Sequence, residues 1–359
     1  MSTISTLSGN VTAPVDYVLM RGLLTQARKV LPFFNGTMPG NLQKNGGSLS
    51  VKWRRMNDLT VATTALGEKS GSAAHGMGRT AAVPSITDLT VAIAKYGNYI
   101  NYTEELDLFN VNSRAAQILD VLGRNAGESL NTIMATVFDG STNARFAAGV
   151  ATASLVVTQM AASDVKYVVN YLNRESAMKF FSMGNGSTNV GSNPVRASYF
   201  GICHPDVEED IRLISGFVGV ESYGGYIGDV QVGEFGHVNA VRWVSTPMCP
   251  FVTGSGGASS NSANGFRNGG SASVNLIYKS FVYGREAVGS IGLGEDHTEE
   301  IYLMGDRPPA IELIQHKVGS SGTADPFNEV GSLAWKAWFA GKILNSAWLW
   351  EIDTLALTI

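Results

Sequence analysis

Apolar positions along the chain follow two different spacings, and each predicts a kind of element. Over residues 111–138, Ala115, Leu119, Leu122, Ala126, Leu130, Ile133 and Val137 recur every three or four places, which predicts one amphipathic helix. Asn112 or Ser113 can cap its start, and Asp139-Gly140 stops it. At ~1.5 Å per residue the rod is roughly 40 Å long. That length suits a spine across which a sheet packs. Further helices are predicted at 16–31, ended by Pro32, at 163–182, entered through Ser163-Asp164, and in a short stretch opening at Pro205.

Elsewhere the period is two. Leu49, Val51 and Trp53 alternate with Ser50, Lys52 and Arg54 over residues 48–64, and Leu89, Val91 and Ile93 alternate with small residues over 87–96. Between them lie residues 65–84, ALGEKSGSAAHGMGRTAAVP, a connection too long and featureless for the inside of a compact domain. Two strands with such a tip predict an arm that projects from the body, has no core of its own and is held by another subunit. Strands are also predicted at 198–204, 236–246, 274–283 and 300–315, with a low-complexity surface insertion at 253–273.

The tail 331–352 holds four of the six tryptophans. As a helix with Lys336 and Lys342 it would lie on a membrane surface. As strands it sets Leu333, Trp335, Ala337 and Phe339 on one face and Ala334, Lys336, Trp338 and Ala340 on the other. Aromatics on both faces suit a sheet with a helix on one side and a neighbouring subunit on the other, and this reading is favoured. The order of elements predicts an α+β protein whose first and last parts meet in one layer.

Composition sharpens this picture. Only 16% of residues are charged, against about 25% in an average soluble domain. A surface so short of charge is most cheaply covered by another copy of the chain. Residues 1–60 carry seven bases (Arg21, Arg28, Lys29, Lys44, Lys52, Arg54, Arg55) and two acids (Asp16, Asp58), while the remainder carries 19 bases and 28 acids. The basic arm can serve as a nucleic-acid tail or lie on the acidic body of a neighbour. Its bases are dispersed among apolar residues, which favours the neighbour. A pI near 5.8 argues against strong nonspecific binding of nucleic acid. The start of the chain shows no secretion signal, no apolar run is long enough to span a membrane, and Cys203 and Cys249 are expected as free thiols in a reducing compartment.

Catalytic signatures are weak. Gly67-Glu68-Lys69-Ser70 lacks the glycine spacing of a phosphate loop, and the glycines at 289, 292 and 294 precede no helical pattern. His204-Pro205-Asp206 with Glu208, Glu209 and Asp210 is the best metal or acid/base candidate. Proline and acids at a helix N-terminus account for it more simply. Glu295-Asp296-His297 with Glu299 and Glu300 reads as a solvated turn, and His75 has no carboxylate near it in sequence. No catalytic, cofactor or metal residues are therefore assigned.

Several features recur in order along the chain. They are Leu49 to Leu66 followed by Gly67-Glu68, then Lys95-Tyr96-Gly97-Asn98-Tyr99-Ile100 with Thr103-Glu104-Glu105. Next come Tyr199-Phe200-Gly201-Ile202-Cys203-His204-Pro205, Asp210-Ile211-Arg212, Gly233-Glu234-Phe235-Gly236 through Arg242-Trp243, Asp325-Pro326-Phe327 and Trp335-Lys336. In this order and spacing they resemble the major capsid proteins of tailed double-stranded DNA phages with the Hong Kong-type capsid fold, especially the coat family typified by phage N-four.

The resemblance implies an N-terminal arm (1–47), an extended hairpin loop (48–100), a peripheral domain on the spine helix (101–158 and 295–359) and an α/β axial domain (159–294). It also implies a structural, non-enzymatic protein forming pentamers and hexamers of an icosahedral shell in the virion. The shell would assemble in the host bacterial cytoplasm and enclose double-stranded DNA without reading its sequence. A portal, a decoration protein and a separate scaffolding protein are the implied partners, the last because only about 15 polar residues precede the first predicted helix. No membrane and no cofactor are implied. Subunit contacts are expected at Arg54, Arg55, Glu68, Lys69, Arg79, Trp335 and Trp338. A cellular compartment of the same fold, of the encapsulin kind, and a metal-dependent hydrolase built on His204 are the alternatives.

Overall fold

The computed structural model describes residues 31–40, 50–57, 59–61, 63, 83–105, 114–180, 197–222, 230, 233–253, 266–267, 275–291, 311–319, 326–327 and 329–357. The helix expected at 16–31, His75, the acidic turn at 295–300 and most of the tip at 65–84 and the insertion at 253–273 lie outside these residues. The first elements are β1 (Met38–Gly40), β2 (Ser50–Met56), β3 (Ile86–Ala92), β4 (Ala94–Thr103), helix α1 (Arg114–Asp139), β5 (Ala144–Phe146) and α2 (Ala162–Arg174). Then come β6 (Tyr199–Cys203), α3 (Pro205–Arg212), β7 (Val218–Gly219), β8 (Glu234–Val238), β9 (Val241–Ser245) and β10 (Phe251–Thr253). The last are β11 (Leu276–Tyr283), β12 (Val288–Ile291), β13 (Ile311–His316), β14 (Val330–Ile343) and β15 (Leu349–Thr354).

Helix α1 is the predicted spine. Its apolar stripe, Leu119, Leu122, Ala126, Leu130, Met134 and Phe138, is buried against two sheets at once. One contact is the face of β14 that carries Leu333, Trp335, Ala337 and Phe339. The other is a face of the larger sheet carrying Phe200, Ile202, Phe281, Tyr283 and Leu349. Phe138 makes edge-to-face contacts with Phe33 at 5.2 Å and Phe281 at 5.7 Å, fastening the end of the helix into this shared core.

The tail is strand, not a surface helix. β14 pairs antiparallel with β4 from Val330↔Thr103 to Phe339↔Ala94, with β13 over 332–337, and with β12 over 340–343. The first and last parts of the chain thus meet in one sheet, as the element order predicts. The larger sheet runs β5-β15-β11-β6-β9-β8-β7, with β10 beside β11. Helices α2 and α3 cover its other face through Val165, Val168, Leu172, Val207 and Ile211. The boundaries drawn at 159 and 295 do not follow these sheets. β15 joins the larger sheet, and β12 joins that of β14.

Three elements depart from the sequence reading, the first being the strand expected at 87–96, which divides at Ile93 between β3 and β4 in different sheets. The segment 236–246 is a hairpin rather than one strand, because Asn239 and Ala240 adopt φ of 49° and 63° and turn the chain between β8 and β9. Two successive left-handed residues make the tight turn that suits strand twist. Helix α2 ends at Arg174, eight residues short of the prediction. Ser176 is left-handed (φ 52°), its N–H donates to the Asn173 carbonyl, and the Ala177 N–H donates to the Leu172 carbonyl. This paired closure ends a helix firmly even without glycine.

Candidate assembly surfaces

The hairpin predicted from the alternation is β2 paired with β3, in register from Ser50↔Ala92 to Met56↔Ile86. Its base is anchored in its own subunit, which corrects the expectation that the arm has no core. Trp53 is buried with Ile93, Ile291, Ala340 and Leu344, flanked by Val51, Leu89, Val91 and Trp338. The indole lies against backbone at Gly40 and Gly289, where an added Cβ would come within 2.8 Å and 2.9 Å of the ring. Gly289→Val is therefore expected to unseat Trp53 and loosen the hairpin base. Faster protease cleavage between residues 50 and 92 would report it.

Beyond Trp53 the hairpin is bare. Met56 is 68% exposed, Val61 80% and Val83 83%, and Leu59 and Ile86 are also exposed. Sequence reading passed over these five residues, although their signal was an apolar residue on each side of a small-residue tip.

The two arginines differ. Arg54 faces Asp88 across the hairpin, Nε to Oδ1 at 2.9 Å, and Lys52 Nζ stands 3.5 Å from the same carboxylate. Hydrogen bonding from Arg54 holds the Asp88 carboxyl below its ordinary value. Arg55 is exposed on the opposite face and pairs with no carboxylate among the described residues. Glu68, Lys69 and Arg79 lie outside the described residues.

The two tryptophans also separate. Trp335 is 2% exposed and its Nε1 donates to Asn125 Oδ1 of α1 at 3.0 Å. It was expected at a subunit contact, but strand period turns it onto the spine and into the subunit's own core. Trp338 lies on the outer face of the same strand, half-buried, with Lys95 Nζ 5.8 Å from its ring. That face also carries the Lys336–Glu312 pair at 2.7 Å and an exposed Tyr99. It is a sheet face with mixed aromatic and charged character.

The acid/base candidate resolves into a helix cap. His204 precedes α3, and its Nδ1 accepts the Asp206 N–H at 3.2 Å. Burial lowers its pKa, which keeps the ring neutral and able to accept. Asp206 Oδ2 takes the Tyr278 hydroxyl at 2.7 Å, and its other oxygen pairs with Arg267 at 3.2 Å. Among the described residues no group of three or more His, Cys, Asp or Glu is placed to hold a metal ion. No helix among them is long and apolar enough to cross a membrane. His204→Ala is expected to cost about 1 kcal/mol, as a lost cap does. A drop of only a few degrees in the thermal midpoint checks it.

With this geometry in view, comparison with known proteins is decisive. A family model described as phage capsid protein matches residues 86–350, well over half of the chain. The chain belongs to the phage capsid protein family. Its place among solved folds agrees, at low sequence identity. The capsid of Ralstonia phage GP4 superposes with a TM-score of 0.58 at 10% identity, covering 89% of this chain and 87% of that one. The head of Helicobacter pylori bacteriophage KHP40 gives 0.56 at 12%, covering 90% of each. The SrpI encapsulin complex of Synechococcus elongatus gives 0.50 at 9%, covering 92% and 90%. No curated protein matches the sequence. This capsid protein thus has the Hong Kong-type α+β fold, and its role is structural.

Proposed function

We propose that this capsid protein self-assembles as pentamers and hexamers into an icosahedral shell that encloses a phage double-stranded DNA genome. The observation that carries the proposal is the bare half of the hairpin. Met56, Leu59, Val61, Val83 and Ile86 expose apolar surface that none of the described residues of their own subunit covers. Each apolar Å² removed from water on a neighbour contributes roughly 25 cal/mol, less the cost of ordering the contact. The base held by Trp53 reduces that cost by fixing where the arm points.

In this reading Arg55 and the cations of the tip, Lys69 and Arg79, meet acids on the adjoining subunit, with Glu68 pairing in the reverse sense. Trp338 packs under a neighbour on the outer sheet face. Arg54 is partly satisfied by Asp88, so Arg55 carries more of the steering. Reversing Arg55 to Glu is expected to weaken assembly several-fold at low salt and by less at about 0.5 M, where charges are screened. Light scattering across a salt series checks this, and an equal deficit at all salts would remove the ion-pair role.

The acidic remainder of the chain leaves DNA unstuck to the wall, so the shell contains rather than binds. A portal, a decoration protein and a separate scaffold complete the proposed particle, built in the host cytoplasm and carried in the virion. No catalysis is assigned to it. Nuclease-protected double-stranded DNA in particles from producing cells is the expected finding. Particles filled with an enzyme cargo instead would favour the encapsulin-like compartment.

A further inference from the structure

The spine helix ends on a polar cluster, buried on its sheet side, that the assembly surfaces do not use. Asp139, the last residue of α1, accepts a hydrogen bond from Lys279 Nζ of β11 at 2.5 Å, and the same ammonium reaches Glu351 Oε1 of β15 at 2.9 Å. Glu351 and Asp353 stand two residues apart on β15, so both carboxyls emerge on one face of the sheet. Lys279 is the cross-strand partner of Asp353, and Phe281 that of Glu351. Glu351 and Asp353 are thus near neighbours within reach of one lysine. Both residues are 4% exposed, and Asp353 Oδ1 has no hydrogen-bond partner. From the neighbouring loop, the Cys249 thiol donates to the Lys279 carbonyl at 3.0 Å. Burial pushes that thiol well up, so it adds no charge at neutral pH.

Asp139 of α1 and Glu351 and Asp353 of β15 therefore crowd one ammonium, Lys279 of β11, and the loop at Cys249 adds no charge. A carboxylate buried with an unpartnered oxygen is costly unless it is neutralised, and one ammonium cannot neutralise three. We infer that one of the buried pair Glu351 and Asp353 keeps its proton at neutral pH, forming a proton-dependent latch that ties the end of the spine helix to the larger sheet. With the proton in place, Lys279 balances one of two remaining negative charges. When it is lost, three carboxylates crowd the same ammonium, two of them almost wholly buried.

The chemistry fixes the direction of the pH effect. Burial, with the Asp353 contact, pushes Glu351 up to about 8, and burial raises Asp353 as well. The fold therefore holds this proton more tightly than the unfolded chain, whose glutamates titrate near ~4.3. The latch's contribution is full below that pH, declines as pH rises, and is lost above about 8.

Glu351→Gln replaces the protonated carboxyl with a permanently neutral amide of the same shape. The test is thermal unfolding of the full-length protein and of this variant between about pH 5 and pH 9. Infrared difference spectra over the same range look for the carbonyl band of a protonated carboxyl. Asp210, which burial raises to about 6, titrates in both proteins and cancels in the comparison. The wild-type midpoint is expected to fall across this range while that of Glu351→Gln falls less than half as far. The wild type should also lose a carboxyl band near pH 8 that the variant never shows. Coincident pH slopes, or the same band in both proteins, would overturn the latch. Asp353→Asn serves the same comparison if Glu351→Gln does not fold.

Discussion

Deleting residues 65–84 is expected to leave a folded subunit that fails to close into shells. The segment joins the free ends of β2 and β3, and the hairpin base is held independently by Trp53 packed on Ile93, Ile291, Ala340 and Leu344. Subunit stability should therefore change by no more than about 0.5 kcal/mol, as for other surface changes. Assembly is a different matter. The deleted segment carries Leu66 and Val83, and burying two such apolar side chains on a neighbour contributes roughly 3 kcal/mol before ordering costs. That is about a hundredfold in each pairwise contact, repeated at every subunit of a shell. Circular dichroism and chemical denaturation should match the wild type, while sedimentation shows particles reduced at least tenfold. Full-sized shells from the deleted protein would contradict the role given to the hairpin.

The second large effect is expected at Trp335. Trp335→Ala empties a site in the core between β14 and α1 and removes the hydrogen bond to Asn125. Such large-to-small changes cost about 3–5 kcal/mol, a major part of the roughly 5–15 kcal/mol that holds a typical domain together. The denaturant midpoint of the full-length protein should fall steeply. Trp338→Ala, three residues along on the outer face and half-buried beside the Trp53 anchor, should lower that midpoint by less and lower assembly as well. A Trp335→Ala subunit as stable as the wild type would place that indole outside the core after all.

This contrast also marks how far the sequence could be read. The spacing of Leu119, Leu122, Ala126 and Leu130 made α1 plain, because a long helix buried along one stripe admits no other pattern. The alternation around Trp335 likewise assigned its strand, and it put Trp335 and Trp338 on opposite faces. It left open which face met the spine. That depends on α1, some 200 residues earlier, and no local pattern carries such a pairing.

The anchoring of Trp53 was hidden for the same reason. Its glycine neighbours, Gly40 and Gly289, come together only through the pairing of β1 with β12. Turn chemistry accounts for two of the other departures. Asn239-Ala240 and Ser176 adopt left-handed conformations without the glycine that usually announces them. The His204 cluster was visible as a motif, and its acids and proline were read correctly as helix-start features. That the imidazole itself caps α3 needed the geometry.

The central claim is that this polypeptide completes its surface only against further copies of itself. Electron microscopy of the purified full-length protein over a range of concentrations and salts tests it most directly. Closed particles of uniform diameter, built on five- and six-fold clusters, are the expected result. Monomers that stay dispersed under every condition, with the hairpin apolar residues covered by their own subunit, would contradict it.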